Sequence, residues 1–185
     1  MSEERVAIFI DGSNFYNGLK EVFGKAKIDF SKFAGFLCGD RKLIRIYYYN
    51  SPLIRQGNET QYADQQRFFA VLDRIPYLTQ RHGKLGIKEI TCIYCKKTFS
   101  KSIQKGVDSF LVTDLLKMAF NDLYDTAILV SGDDDFACAV EAVKEKGKHV
   151  EMAFFELKAR GYQLFQTCDK FVCLTKDNLT PFFFG

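Results

Sequence analysis

The sequence predicts an α/β fold: a mostly parallel sheet flanked by helices. Three observations carry the prediction. Apolar, β-branched runs alternate with stretches at helical spacing of about 10–15 residues, the pattern of successive βαβ units. Two of the runs, RVAIFI (5–10) and TAILV (126–130), are nearly continuous, as strands covered on both faces must be. With 185 residues and 47% hydrophobic content, the chain can bury the core of one domain. Residues 1–185 therefore read as a single domain, with one small insertion at about 83–106.

The elements follow in order. Residues 5–10 form the first strand, broken by Asp11-Gly12-Ser13-Asn14, and Phe15 to Val22 reads as a helix. Asp29-Phe30-Ser31 starts a second helix over 32–38, with Phe33, Phe36 and Leu37 inward. Residues 42–49 (KLIRIYYY) form a strand that ends at Asn50-Ser51-Pro52. Residues 60–75 suit an amphipathic helix through Phe68, Phe69, Val71, Leu72 and Ile75, and Pro76 stops it. A third strand over 77–81 precedes the Gly-bounded segment 83–106, an inserted hairpin carrying Cys92-Ile93-Tyr94-Cys95. Helices over 107–121, 136–146 and 158–167 then alternate with strands over 125–130, 150–155 and 171–174. The last residues end in three Phe, which suit docking on the body or a partner surface.

The formal net charge of +3 permits an anionic partner without demanding one. No signal-peptide pattern opens the chain, and no apolar run approaches the ~20 residues of a membrane span. Six Cys without an export signal point to the cytoplasm, with thiols reduced or metal-bound. Cys38, Cys138, Cys168 and Cys173 sit in helix or strand contexts and read as buried apolar residues.

The acids carry the chemistry. Asp11 ends one strand; Asp133, Asp134 and Asp135 end another; Asp108 opens the helix over 107–121 and Asp114 follows within it. In open parallel sheets, ligands bind at the carboxyl ends of the strands. Gathered carboxylates repel and hold protons unless a cation binds. All-oxygen donors select hard ions such as Mg²⁺ or Mn²⁺. Asp108 and Asp114, six residues apart, differ by about 240° around a helix, so both cannot face one ion directly. Asp108 is the better ligand. Each acid also has an ordinary role: a strand-end Asp commonly caps the next helix, and Asp134 reads as such a cap or as solvated.

The stretches FIDGSNFYNGL, KGVDSFLVTDLL and YDTAILVSGDDDFACAVEAVKEKGKHVEM resemble, in order, the three signatures of the NYN domain family. That family belongs to the PIN-like nuclease superfamily and includes the bacterial LabA-like proteins. The resemblance runs from Arg5 to about Leu174, and SGDDDF is its most specific piece. It implies a Rossmann-like PIN fold, a divalent metal and the RNA cleavage that several members carry out. Matched by position, Asp11 and Asn14 fall in the first motif, Asp108 and Asp114 in the second, and Asp133 and Asp135 in the third. Asp11, Asp108 and Asp133 would then hold Mg²⁺ or Mn²⁺ directly, and Asp135 would complete the shell. Asp114 would act from the side and Asn14 would position a phosphate. Ser13 and Ser131 would lend hydrogen bonds. Asp134 adds an acid where the pattern is tolerant.

The CxxC pair, Cys92 and Cys95, resembles one knuckle of a zinc ribbon. Zn²⁺ usually takes four ligands, and no second knuckle follows. Three completions stay open: His82, a second chain in a homodimer, or no metal in a purely structural hairpin. Redox chemistry ranks last because the setting is not thioredoxin-like. Lys84, Lys88, Lys96, Lys97, Lys101 and Lys105, with Tyr94 and Phe99, offer charge for phosphates and rings for unpaired bases. The ordinary alternative is a solvated basic loop.

The sequence thus favours a metal-dependent endoribonuclease acting on single-stranded RNA. The alternative is a non-catalytic NYN module that binds RNA or a protein. A haloacid-dehalogenase phosphatase would need an acid where Ser13 stands, and a receiver domain needs adjacent acids before its first helix.

Overall fold

The computed structural model describes residues 3–24, 27–55, 59–156 and 161–183. Its strands are β1 (Arg5–Asp11), β2 (Lys42–Asn50), β3 (Leu78–His82), β4 (Lys84–Thr91), β5 (Thr98–Lys105), β6 (Thr126–Val130), β7 (His149–Phe155) and β8 (Lys170–Leu174). Its helices are α1 (Gly12–Phe23), α2 (Phe30–Cys38), α3 (Glu59–Leu72), α4 (Val107–Phe120), α5 (Ala137–Glu145), α6 (Tyr162–Thr167) and α7 (Lys176–Leu179).

Six strands form one sheet in the order β3-β2-β1-β6-β7-β8, and every pairing in it is parallel. The order runs outward in opposite directions from β1 and β6. The crevice at the carboxyl ends of those two strands is where open parallel sheets receive ligands. Ile10 pairs with Val130, so Asp11 and Ser131 leave the sheet side by side.

The alternation along β1 explains its apolar sequence. Val6, Ile8 and Ile10 join one core with Phe15, Leu19, Phe33 and Leu72, while Ala7 and Phe9 join another with Leu111, Leu115, Val140 and Val143. Each fully buried Ile or Phe contributes about 1.5–3 kcal/mol relative to exposure. Glycine is required at position 12, because a Cβ there would lie 2.6 Å from the Tyr48 ring and from the Tyr49 carbonyl oxygen.

Several expectations shift. Val71 is 55% exposed, since α3 buries only Phe69 and Leu72. Phe36 points outward and meets Phe182, ring centroids 5.4 Å apart, while Phe23 meets Phe183 at 4.3 Å. The aromatic tail therefore docks on α1 and α2 up to Phe183; Phe184 lies outside the described residues, as do the first residues expected of the helix over 158–167. The unexpected α7 forms because Thr175 and Asn178 close a capping box. Cys38 and Cys168 are buried, but Cys138 is exposed, because it takes the outward position in the first turn of α5.

β4 and β5 pair antiparallel with each other and stand apart from the main sheet as a two-stranded arm. Among the described residues, no helix is long and apolar enough to cross a membrane.

Candidate active site at the sheet edge

Asp11 performs the capping role of a strand-end carboxylate and turns its second oxygen to the neighbouring strand. Its Oδ1 accepts the backbone N–H groups of Ser13 and Asn14, each at 3.1 Å, and so caps α1. Its Oδ2 accepts the Ser131 hydroxyl at 3.2 Å. The residue is only 7% exposed. Burial pushes the carboxyl above its ordinary range; the Asn14 N–H opposes this, and the charge of Asp108 adds to it. A buried carboxylate under that tension favours a proton or a cation.

The second acidic turn is tied to the first. Ser131 is buried, and its Oγ also accepts the Asp133 N–H at 3.3 Å. Asp133 in turn accepts the Asp135 N–H at 3.1 Å and caps the short 3-10 turn Asp134–Phe136. Asp108 stands in the first turn of α4. Desolvation at the foot of that helix raises its carboxyl, and the charges of Asp133 and Asp135 raise it further. Asp11 therefore feels Asp108, and Asp108 feels Asp133 and Asp135.

Among the described residues, no three His, Cys, Asp or Glu side chains approach closely enough to hold an ion together. The expected direct grip by Asp11, Asp108 and Asp133 is thus not preformed among the described residues. The donor set still fits a hard cation: every donor is oxygen, and Mg²⁺ keeps several waters while using one or two carboxylates. Asp11 with Asp108, Asp133 and Asp135 would hold it.

Asp114 is engaged elsewhere. Its Oδ2 accepts the Tyr49 hydroxyl and the Arg81 Nε–H, both at 3.1 Å. The Arg81 ion pair, with the Asp114 side chain 15% exposed, turns it toward β2 and β3 rather than toward the other acids. A cavity of about 420 Å³ lies there, lined by Gln80, Arg81, His82, Phe110 and Asp114. A second cavity, about 500 Å³, lies at the opposite edge among Glu4, His149 and Glu151. Arg41 and Lys170 already pair with Glu151 there, so its charges serve the fold.

Ser13 and Asn14 are half-buried in the first turn of α1. Lys105 is at the foot of the arm, near Asp108 in sequence, whereas Lys96 and Lys97 are exposed at its tip. At about 3.4 Å per residue an eight-residue strand such as β4 spans roughly 27 Å, so the lysines do not converge on one spot. Lys101 pairs in register with Lys88; the side chains of both lie outside the described residues. Cys92 and Cys95 occupy the tip. His82 sits at the foot with its ring 4.6 Å from that of Phe69, an arm's length from Cys92, and cannot share an ion with it.

Three contributors have no sequence signal that singles them out. Tyr49 and Arg81 hold Asp114. Asp134 accepts the Leu164 N–H at 2.8 Å, capping α6 from a distant turn, and the Gly161 N–H reaches the Gly132 carbonyl at 2.7 Å. Only the glycine could have hinted at this: a Cβ at position 161 would lie 2.2 Å from Asp134 Oδ1.

Comparison with known proteins agrees with this architecture. A crystal structure of a Vibrio parahaemolyticus protein of unknown function is similar across 95% of both chains, with 19% identity and a TM-score of 0.67. That likeness speaks to fold alone. An uncharacterized protein of Sinorhizobium fredii, y4oD, is 38% identical over 60 residues, which cover 32% of this chain and 28% of that protein. The sequence also matches the NYN domain over residues 5–175. With nearly its whole length matched, the chain belongs to the NYN domain family, a family related to the PIN-like nucleases.

Proposed function

We propose that this protein is a metal-dependent endoribonuclease that cuts single-stranded RNA with Mg²⁺ or Mn²⁺. One observation carries the reading: Asp11 is buried at the switch point of the sheet, with its proton affinity raised, within the field of Asp108. Capping accounts for Asp11 and Asp133 one at a time, whereas a cation site accounts for acids of three segments lying within one another's field. When bound, the cation would make a water more acidic and offset charge on the phosphodiester.

The protein's own groups do the rest. The N–H bonds of Ser13 and Asn14 and the hydroxyl of Ser131 fix Asp11 so that its charge stays aimed at the crevice. Asp108 acts on Asp11 and is itself acted on by Asp133 and Asp135, so acids from three segments draw cations to the same edge. Beside them, Arg81 can pair with a phosphate and the ring of Phe110, 46% exposed, can stack on an unpaired base. Those two residues favour single strands, whose bases are open to stacking. The deciding experiment incubates labelled single-stranded RNA with the protein in Mg²⁺, Mn²⁺ or EDTA, alongside Asp133→Asn. Products that need the cation and vanish in the variant support the enzyme; equal products from both proteins would refute it.

A non-catalytic RNA-binding module is the second reading. The specific observation in its favour is that no three acids stand ready around one ion. RNA binding without cation-dependent products would select it.

A further inference from the structure

The arm formed by β4 and β5 ends in a turn that neither the core nor the acid cluster explains. Its ladder closes where the Thr91 and Thr98 hydroxyls meet at 3.0 Å. Beyond it the Cys92 N–H donates to the Lys97 carbonyl and the Lys96 N–H to the Cys92 carbonyl, each at 2.9 Å. Lys96 adopts a φ of 57°, a left-handed conformation that a residue with a side chain rarely takes. The outcome of that contortion is chemical. It turns the backbone N–H groups of Tyr94 and Cys95 onto the sulfur of Cys92, and brings the Cys95 thiol to the same sulfur. The two cysteines are thereby held together at the end of the arm, at the spacing of one knuckle of a zinc site. The other side chains of the turn are open to solvent: Ile93 is 73% and Tyr94 89% exposed.

We propose that Cys92 and Cys95 are half of a tetrahedral zinc site, and that a second copy of this chain supplies the other half, joining two arms tip to tip. Zinc bound by thiolates takes four ligands. Among the described residues no third His, Cys, Asp or Glu joins the pair, and His82 is an arm's length away. A two-fold-related copy brings the same two sulfurs to the same point, so one self-complementary contact completes the shell. β4 and β5 pair only with each other, and Ile93, Tyr94 and Cys95 at the tip are exposed, so a second copy can reach the cysteines there. The charges also balance. Four thiolates around one Zn²⁺ carry a net charge of −2, and Lys96 and Lys97 of each copy surround it with positive charge, so lysines that would repel an empty contact hold a filled one. The same contact covers Ile93 and Tyr94. In the binding step four thiols give up four protons to solvent as four Zn–S bonds form, with no change of oxidation state.

The test uses the full chain, reduced and stripped of metal, titrated with Zn²⁺ while its mass is followed by sedimentation, and with Co²⁺ while its visible spectrum is recorded. We expect one metal per two chains, a doubling of mass that EDTA reverses, and the intense cobalt bands of a four-sulfur tetrahedral site. Cys92→Ser with Cys95→Ser should stay monomeric at the same zinc concentration and give no such bands, with an unchanged far-ultraviolet circular dichroism spectrum. Cys138→Ser, which removes another exposed thiol, should behave like the parent. One zinc per monomer, a dimer that survives EDTA or the double substitution, loss of two hydrogens to a Cys92–Cys95 disulfide without metal uptake, or no cobalt spectrum would each overturn the proposal. None of these readouts involves RNA.

Discussion

The Ser131 hydroxyl lies 3.2 Å from Asp11 Oδ2, although 120 residues separate them along the chain. The same oxygen accepts the N–H of Asp133. One buried side chain thereby sets the spacing between the two acidic turns that flank the switch point.

Ser131→Ala should lower any cation-dependent RNA cleavage by about 10- to 100-fold, the usual cost of removing a group that orients a ligand rather than serving as one. Stability should fall by about 1 kcal/mol, because Asp11 loses a buried hydrogen bond. Single-turnover cleavage rates and urea denaturation measure the two effects separately. Unchanged cleavage would mean that the distance between the turns does not matter.

Asp108→Asn should change how stability depends on pH. In the folded chain without cations, the Asp108 carboxyl binds its proton more tightly than in the unfolded chain, whose value is near 3.8. The resulting stabilisation is fully present below that value and is lost as pH rises through the raised folded one. The variant has no such loss, so its Tm advantage over the parent should widen from pH 3.5 toward pH 7. A constant difference across that range would contradict the crowding of Asp108 by Asp133 and Asp135.

Asp114 and Asp108 should separate on cation binding. At a divalent cation concentration of about 100 times Kd, a folded-state site adds about 2.7 kcal/mol, or roughly 5–10 °C in Tm for a chain of this size. Asp108→Asn should abolish most of that rise. Asp114→Asn should keep it, because Asp114 is committed to Tyr49 and Arg81. Loss of the rise in Asp114→Asn would return it to the cation site.

Gly161→Ala should be damaging for its size. The added methyl would lie 2.2 Å from Asp134 Oδ1, in the turn that also carries Asp133 and Asp135. Displacing a packed turn costs about 1–3 kcal/mol, and cleavage should fall with it. Thermal unfolding and cleavage of the same preparation test this, and a variant with normal values for both would show that the turn yields freely.

The sheet was legible because its logic is local. RVAIFI and TAILV have no polar face to offer water, and each is followed by an acid, a glycine and a helix, so strand, turn and helix could be read within fifteen residues. The helical spacing of Val107, Leu111, Leu115 and Met118 marked their buried face in the same way. The acidic residues were legible as types but not as neighbours. Periodicity kept Asp114 and Asp108 off one face, yet nothing local says that Arg81, 33 residues away, takes up Asp114. Nor does spacing reveal that Asp134 serves a helix 30 residues later. Such pairings are made by the closing of the sheet, which no window of sequence contains. Val71 and Phe36 failed for a related reason: an apolar residue one position off the buried stripe of a short helix looks the same in sequence as one on it.

The central position of β1 also has a bearing on how the protein is made. β1 pairs on one side with β2, but its other edge waits for β6, and the Ser131 hydroxyl that meets Asp11 across the crevice arrives after it. A nascent or clipped chain that ends before Ser131 carries Asp11 and Asp108 but lacks Asp133, Asp135 and the hydroxyl that ties the two turns together. The acidic centre is therefore a property of the chain with β6 in place, and a chain stopped short of it holds an incomplete version of the site.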